Sequence, residues 1–391
     1  MRVLFLHAAL QTAAEYNSHK TIAEHVDPQR AEPYFVWQTH TQDPSQNRPA
    51  QLKRPEQNLF LDFGRDLSVP ASPPRIGRAL RIARRLPHAL PRLREYIRNV
   101  QPDVIYTSQQ TFDVYLAKRL TRGVLPHIIH LHYPVGHWLG PGMVGQIRRA
   151  ARLVAASNFI RNQAIGVGVD PQRIFTQHET VPLERFHPGK KGVNLRAEFG
   201  WGEDAQVIIS VGRLDPSKGH ALLLRAFQKV AREAPRARLL IIGATFTRNA
   251  YDQELKSLTE TLQIQDRVVF AGGRSDVPAL LAESDIFSLP TENDACPLVF
   301  QEAMASGLPA VAVISGGVPE MVAHEETGLL SEPGDSDALA ENLLRLLRDP
   351  DLARHMGEAG WKRVHAEFAP TVAAPKWLGT VETLLSLPGR V

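Results

Sequence analysis

The chain has 391 residues, 43% hydrophobic and 22% charged, a globular composition long enough for two domains of ordinary size. A net charge of +4 is only mildly basic and does not point to nucleic acid; a single cysteine, Cys296, excludes an internal disulfide framework and fits the reducing cytoplasm. No apolar run approaches the roughly 18 residues that a membrane helix needs, and Met1–Leu10, short and interrupted by His7, reads as a first core strand rather than a signal peptide.

The first strand is expected over 2–10 and the second over 34–38. Residues 41–74 carry Pro44, Pro49, Pro55, Pro70, Pro73 and Pro74 and read as a long irregular connection, with short apolar pieces such as Leu59–Phe63. Residues 75–98 hold Arg75, Arg78, Arg81, Arg84, Arg85, Arg92, Arg94 and Arg98 against the single acid Glu95. Ile76, Leu80, Ala83 and Leu86 fall on one helical face, and Pro87 and Pro91 are expected to break the run. Two readings stand: a basic amphipathic helix resting on an anionic membrane or anionic acceptor, or a surface helix whose arginines lie along its flank. A strand follows at 102–107, a helix at 113–120 and a strand at 127–131. Histidines 127, 130, 132 and 137 crowd this region, and 130 and 132 share one face at strand spacing. No carboxylate or thiol accompanies them at helpful spacing, so no metal is assigned. Arg152–Ser157 reads as another strand, with Ser157 capping the helix that follows. Pro188-Gly189-Lys190-Lys191-Gly192 has the composition of a linker, which divides the chain into 1–188 and 189–371.

The second half alternates strictly. Strands are expected at 207–212, 239–243, 268–272, 286–289 and 310–314, with helices at 218–234, 251–263, 276–284 and 297–306 between and after them. Such alternation builds parallel βαβ units and a Rossmann-like sheet. Further helices are expected at 335–349, 351–367 and 372–387. Four places carry chemistry. Arg213 stands at a strand end and Lys218 at a helix start, so both can converge on one anion. Arg274 lies in the loop Gly272-Gly273-Arg274-Ser275. Asp294 lies in the loop before a helix and Glu302 on that helix, two acids at the carboxyl end of a strand, where open α/β sheets bind ligands. Gly316 and Gly317 lead through Val318 and Pro319 into a helix, an arrangement that favours an anion.

These motifs carry a resemblance. Asp294-Ala295-Cys296-Pro297-Leu298-Val299-Phe300-Gln301-Glu302-Ala303 is similar to the acid-x7-acid signature of retaining, nucleotide-sugar-dependent glycosyltransferases of family 4, and Gly212-Arg213-Leu214-Asp215-Pro216-Ser217-Lys218-Gly219 resembles their Gly-Arg-x4-Lys-Gly segment. The resemblance implies the GT-B fold, two Rossmann-like domains facing across a cleft, with a terminal helix (372–391) crossing back to the first. It implies transfer of a sugar from a nucleoside diphosphate to an acceptor hydroxyl, in cell-envelope, glycolipid or secondary-metabolite glycan synthesis. In that frame Arg213 and Lys218 stabilise the leaving diphosphate and Glu302 holds ribose. Asp294 and His132 orient the sugar, the loop of Arg274 meets the base, and Gly316, Gly317 and Val318 meet the diphosphate. The departing phosphate takes the acceptor proton, and side-chain cations stand in for a metal, so no cofactor is implied. The acceptor is unknown. The first acid of the signature is Asp rather than Glu, the usual Gly after it is Ala295, and the N-terminal loop Gln11–Glu15 has no Gly. A GT-B phosphorylase, a sugar-nucleotide hydrolase and a non-catalytic sugar-nucleotide-binding protein are the alternatives.

Overall fold

Strand β1 (Arg2–His7) buries Val3, Leu4, Phe5 and Leu6 completely, because helices and neighbouring strands cover both faces of a parallel sheet. The computed structural model describes residues 1–8, 14–39, 54–64, 74–121, 124–136, 139–190, 192–245 and 251–387. These form two units, Met1–Glu179 with Ala373–Val391, and Thr180–Val372.

In the first unit β1 is followed by α1 (Ala14–His25), β2 (Glu32–Gln38), β3 (Asn58–Leu61), α2 (Pro74–Val100), β4 (Val104–Ser108), α3 (Thr111–Thr121), β5 (His127–Leu131), α4 (Gly140–Arg149), β6 (Leu153–Ala155), α5 (Asn158–Gly166) and β7 (Ile174–Thr176). All pairings are parallel, in the order β3-β2-β1-β4-β5-β6-β7. The first strand stops at His7 rather than at 10, where the next amide, Ala8 N–H, donates to the Asp113 carboxylate (3.0 Å). Of the loop Gln11–Glu15, residues 11–13 lie outside the described residues, as do 40–53 and 65–73 of the irregular connection. That connection also contains β3, which the prolines on either side mask in the sequence. Pro87 and Pro91 do not break α2. The helix runs through both, and its packed face is Leu86, Ala89, Leu90, Leu93 and Ile97 against the core of the unit. Cooperative burial along that stripe outweighs the local cost of the prolines. Ile76 and Leu80, which share one helical face with Ala83 and Leu86 in the sequence, are about two-thirds exposed.

The second unit contains α6 (Leu195–Glu198), β8 (Gln206–Val211), α7 (His220–Glu233), β9 (Ala237–Ile242), α8 (Tyr251–Thr261), β10 (Val268–Gly272), α9 (Val277–Ala282), β11 (Ile286–Ser288), α10 (Leu298–Ala305), β12 (Ala310–Val313), α11 (Val318–Met321), β13 (Gly328–Ser331), α12 (Ser336–Arg348) and α13 (Pro350–Arg363). Its six strands are parallel in the order β10-β9-β8-β11-β12-β13. The boundary falls at Glu179/Thr180 rather than at 188/189. Val181 and Phe186 belong to the core of the second unit, and Thr180 and Val181 both donate to the Phe368 carbonyl. The Pro/Gly-rich stretch after Phe186 is a loop of this unit, with Pro188 against Gly307.

The last helix, α14 (Pro370–Ser386), places Ala374, Trp377, Leu378, Val381 and Leu384 in the core cluster of β1, β2 and β4. Arg152 fastens its end by donating to the carbonyls of Leu384 (2.7 Å) and Leu387 (3.0 Å).

Candidate active site

In each sheet the strand order reverses once, between β1 and β4 and between β8 and β11. The loops leaving the carboxyl ends of strands at such a reversal diverge and leave room for a ligand. In the second unit these loops carry Arg213, Lys218 and Asp294.

Three loops are knit together there. Asp215 caps the short turn Pro216–Lys218 by accepting from Ser217 N–H (2.9 Å), which sets Lys218 at the rim. Gly219 then adopts φ +71°, and a Cβ there would stand 2.0 Å from the Pro290 carbonyl oxygen. Glu292 N–H donates to Ser217 O (2.8 Å), joining the loop after β11 to the loop after β8. Lys218 Nζ is ion-paired with Asp294 Oδ2, which also accepts from Thr291 Oγ1. Arg213 is paired only loosely with Asp215 (3.5 Å) and is about half exposed. His220, fully buried behind Lys218, is held neutral, its pKa lowered to about 4 by burial and then by the Lys218 charge. Arg213 and Lys218 are the two basic side chains of the loop after β8, each set against a carboxylate.

The double glycine has a packing reason. A Cβ on Gly316 would meet Asp294 O at 2.3 Å, and one on Gly317 would meet Ala295 O at 2.1 Å. Gly317 N–H donates to Asp294 O (2.7 Å) and Val318 N–H to Ser315 O (3.1 Å), so both amides are engaged within the protein. The helix after them, α11, is only four residues long. Gly316 and Gly317 thus seat the Asp294 loop.

Glu302 lies on α10 and is mostly covered, yet among the described residues no hydrogen bond or salt bridge reaches its carboxylate. Burial pushes its pKa up to about 7, with Arg185 pulling the other way. A carboxylate desolvated without a partner is costly. Two hydroxyls of a ligand would supply the missing donors.

Arg274 is differently placed. Its guanidinium bonds Asp276 (2.8 and 2.6 Å) and Glu198 (2.5 and 3.3 Å), which fill its donor edges and tie the loop after β10 to α6. The arginine is a structural tie, because two carboxylates already claim the charge that a nucleotide would have to recruit. A cavity of about 610 Å³ in this unit is lined by Gln206, Asp285, Pro309 and Trp361 at the amino ends of the strands, away from the reversal-point loops.

His132 lies in the first unit, just after β5, and is nearly buried. Both ring nitrogens are engaged: Nδ1 with Glu179 Oε1 (2.5 Å) and Nε2 with His19 Nε2 (3.2 Å). His19 comes from α1 and also stands 2.9 Å from His130 Nδ1 and 3.4 Å from His7 Nε2. Burial lowers the pKa of His7, His19 and His130 well below the usual histidine range and keeps them neutral. Sequence reasoning found His130 and His132 but missed His7, His19 and Glu179. The one signal was His7, a polar residue closing an otherwise apolar strand. His127 stands apart, bonded to Thr107 Oγ1 (2.9 Å), and His137 lies outside the described residues.

Comparison with known proteins agrees with this architecture. Residues 193–363 match the family described as Glycosyl transferases group 1, and residues 40–185 match Glycosyltransferase Family 4. The chain is 30% identical over 273 residues to the N-acetyl-alpha-D-glucosaminyl L-malate synthase of Bacillus anthracis, with 62% of this chain and 70% of that protein covered. It is 34% identical over 256 residues to the D-inositol 3-phosphate glycosyltransferase of Mycobacteroides abscessus, with 64% of this chain and 54% of that protein covered. Among solved structures, Anabaena HepE in complex with UDP and glucose superposes with a TM-score of 0.76 at 20% identity, covering 99% of this chain and 100% of that one. Sucrose-phosphate synthase from Thermosynechococcus elongatus gives 0.77 at 19% identity, covering 99% of each. Two parallel-sheet Rossmann-like units and relatives of this kind make the chain a GT-B glycosyltransferase of group 1, family 4.

Proposed function

We propose that this transferase moves a sugar from a nucleoside diphosphate to an acceptor hydroxyl with retention of anomeric configuration. The observation that carries the reading is Glu302, a covered carboxylate with no protein partner among the described residues, its proton held to about pH 7. It has the character of a group awaiting the two ribose hydroxyls of a nucleotide. Arg213 and Lys218 neutralise the leaving diphosphate as the glycosidic bond breaks, and preorganised charges of this kind act most strongly where water is excluded. Lys218 arrives already aimed by its ion pair with Asp294. In the bound state we assign Asp294 to the donor sugar hydroxyls, with Lys218 turning toward phosphate. The departing phosphate oxygen accepts the acceptor proton, so no protein base and no metal enter the transfer.

By their names the relatives make an N-acetyl-glucosaminyl malate or glycosylate D-inositol 3-phosphate or a phosphatidylinositol monomannoside, and HepE was solved with UDP and glucose. Small hydroxylated acceptors and lipid-linked acceptors are therefore both within the proposal, in envelope, glycolipid or secondary-metabolite synthesis on the cytoplasmic side. No helix among the described residues is long and apolar enough to cross a membrane. The arginine-rich α2 provides the proposed peripheral contact with anionic lipid.

The test is thermal unfolding with UDP, GDP, ADP and TDP. A nucleotide at about 100 times its Kd adds roughly 2.7 kcal/mol, several degrees in midpoint. One base is expected to stand out, and Glu302→Gln to remove its effect. Four nucleotides without effect would overturn the nucleotide reading of this site.

A further inference from the structure

The reaction leaves one cluster without a task. His19, His130 and His132 come from α1, from β5 and from the residue just beyond it, and one ring nitrogen of each lies within 4.8 Å of the others. His19 and His130 are essentially inaccessible and His132 nearly so.

Their ring nitrogens are turned toward one another. A carboxylate only accepts, so the nitrogen of His132 facing Glu179 carries its hydrogen, and the other, Nε2, is turned to His19. The Tyr106 hydroxyl is 3.1 Å from His130 Nδ1, the nitrogen that faces His19. His19 Nε2 stands between the two rings, at 3.2 Å and 2.9 Å, and is shared between them. Among the described residues, His130 Nε2 is buried with no partner. Buried polar groups are ordinarily satisfied, and this set is not.

We infer that His19, His130 and His132 form a three-imidazole site for a divalent transition ion of the Zn²⁺ class. Tetrahedral Zn–N bonds of about 2.0–2.1 Å set ligand nitrogens roughly 3.3 Å apart, close to the two spacings observed. Imidazole nitrogen selects Zn²⁺ and its first-row neighbours over Mg²⁺ or Ca²⁺, which demand oxygen. The surrounding shell is of the expected kind. Glu179 accepts from the distal nitrogen of His132, and His7 Nε2 lies 3.4 Å from the distal nitrogen of His19, contacts that fix ring orientation. Three imidazoles leave a fourth position for water or another small oxygen ligand. Binding requires that each of the three facing nitrogens present its lone pair, with Tyr106 turning its hydrogen away. The ion ties α1 to the end of β5 and holds the ring of His132, and no step of the transfer runs through it.

The test uses the full chain stripped with a strong chelator. Co²⁺ is added with visible absorption as the readout, and Zn²⁺ with competition against a chromogenic chelator. One equivalent per chain, the intense ligand-field bands of four-coordinate Co²⁺, and a raised unfolding midpoint with Zn²⁺ are expected. His19→Gln and His130→Gln should each lose the Co²⁺ bands. Glu179→Gln should keep them while weakening Zn²⁺ by about 10–100-fold. Absence of a stoichiometric ion in the unsubstituted protein overturns the inference. So does binding undiminished in His19→Gln, which would place the ion on surface histidines. If the histidine variants fail to fold, the unsubstituted Co²⁺ spectrum and the Glu179→Gln affinity decide, and an unchanged affinity in Glu179→Gln counts against the site.

Discussion

At the scale of single residues the second unit sets binding against stability. The Glu302 carboxyl titrates near 7 in the folded chain against an ordinary 4.5. Below pH 4.5 both folded and unfolded states hold the proton and nothing is lost. Between 4.5 and 7 the unfolded chain releases it first, so folding weakens, and above 7 the loss levels off at roughly 2–4 kcal/mol. Glu302→Gln should therefore raise the unfolding midpoint of the ligand-free protein by several degrees at pH 8 and leave it nearly unchanged at pH 4.5, while removing the nucleotide effect. Differential scanning fluorimetry at the two pH values checks this, and an equal change at both would contradict it. Arg213 and Lys218 should separate in the same way. Arg213 is half exposed, so Arg213→Ala should lower kcat by about 10²–10³-fold with little change in midpoint. Lys218→Ala should lose activity and also stability, because Asp294 is left partly buried without its cation. A double-mutant cycle with Asp294→Ala measures the coupling, and zero coupling would refute the pair. The paired motifs made Lys218, Asp294 and Glu302 legible in the sequence. The fate of Arg274 was not legible, because Glu198 and Asp276 reach it only through the fold.

At the scale of elements, regular alternation was easy to read and interruption was not. Strands and helices of the second unit fall within a few residues of expectation, because fully buried parallel strands stand out as apolar runs between amphipathic helices. β13 went unassigned because Gly328 opens it, and a Cβ there would stand 2.1 Å from the Ala310 carbonyl oxygen. The histidine cluster was half legible: period-two spacing joins His130 to His132, but only the packing of α1 on the sheet delivers His19. In α2 the prolines misled, since what holds the helix is the stripe from Leu86 to Ile97. That packing turns Ile76 and Leu80 outward, with Arg84, Arg85, Arg92, Arg94 and Arg98 exposed farther along the helix. Each basic residue near an anionic surface contributes about 1 kcal/mol, and apolar side chains add insertion. Co-sedimentation with acidic vesicles should therefore exceed that with neutral ones, weaken with salt, and fall at least tenfold in the triple variant Arg84→Ala, Arg85→Ala, Arg92→Ala. Unchanged binding in that variant would count against membrane contact.

At the scale of the molecule, the two units share one strand order over six strands but not one continuity. The first unit is built from both ends of the chain, and Trp377, Leu378, Val381 and Leu384 are essentially inaccessible in its core. At about 1.5–3 kcal/mol for each buried side chain, their removal subtracts an amount comparable to the whole stability of a domain, 5–15 kcal/mol. A chain ending at Val372 should lose the cooperative transition of the first unit and keep that of the second, still responsive to nucleotide. Differential scanning calorimetry would show this, and an unaltered profile would refute it.

The same discontinuity has a consequence during synthesis. A ribosome that has made the first 179 residues has not yet made the helix that covers the β1–β2–β4 face. The whole second unit must be translated first, which at about 5–20 residues per second takes roughly 10–40 s. Throughout that interval Phe5 and Tyr106 lack the indole that closes over them. The nascent first unit is thus a natural client for chaperones, and codon changes that slow translation of the second unit should increase its aggregation.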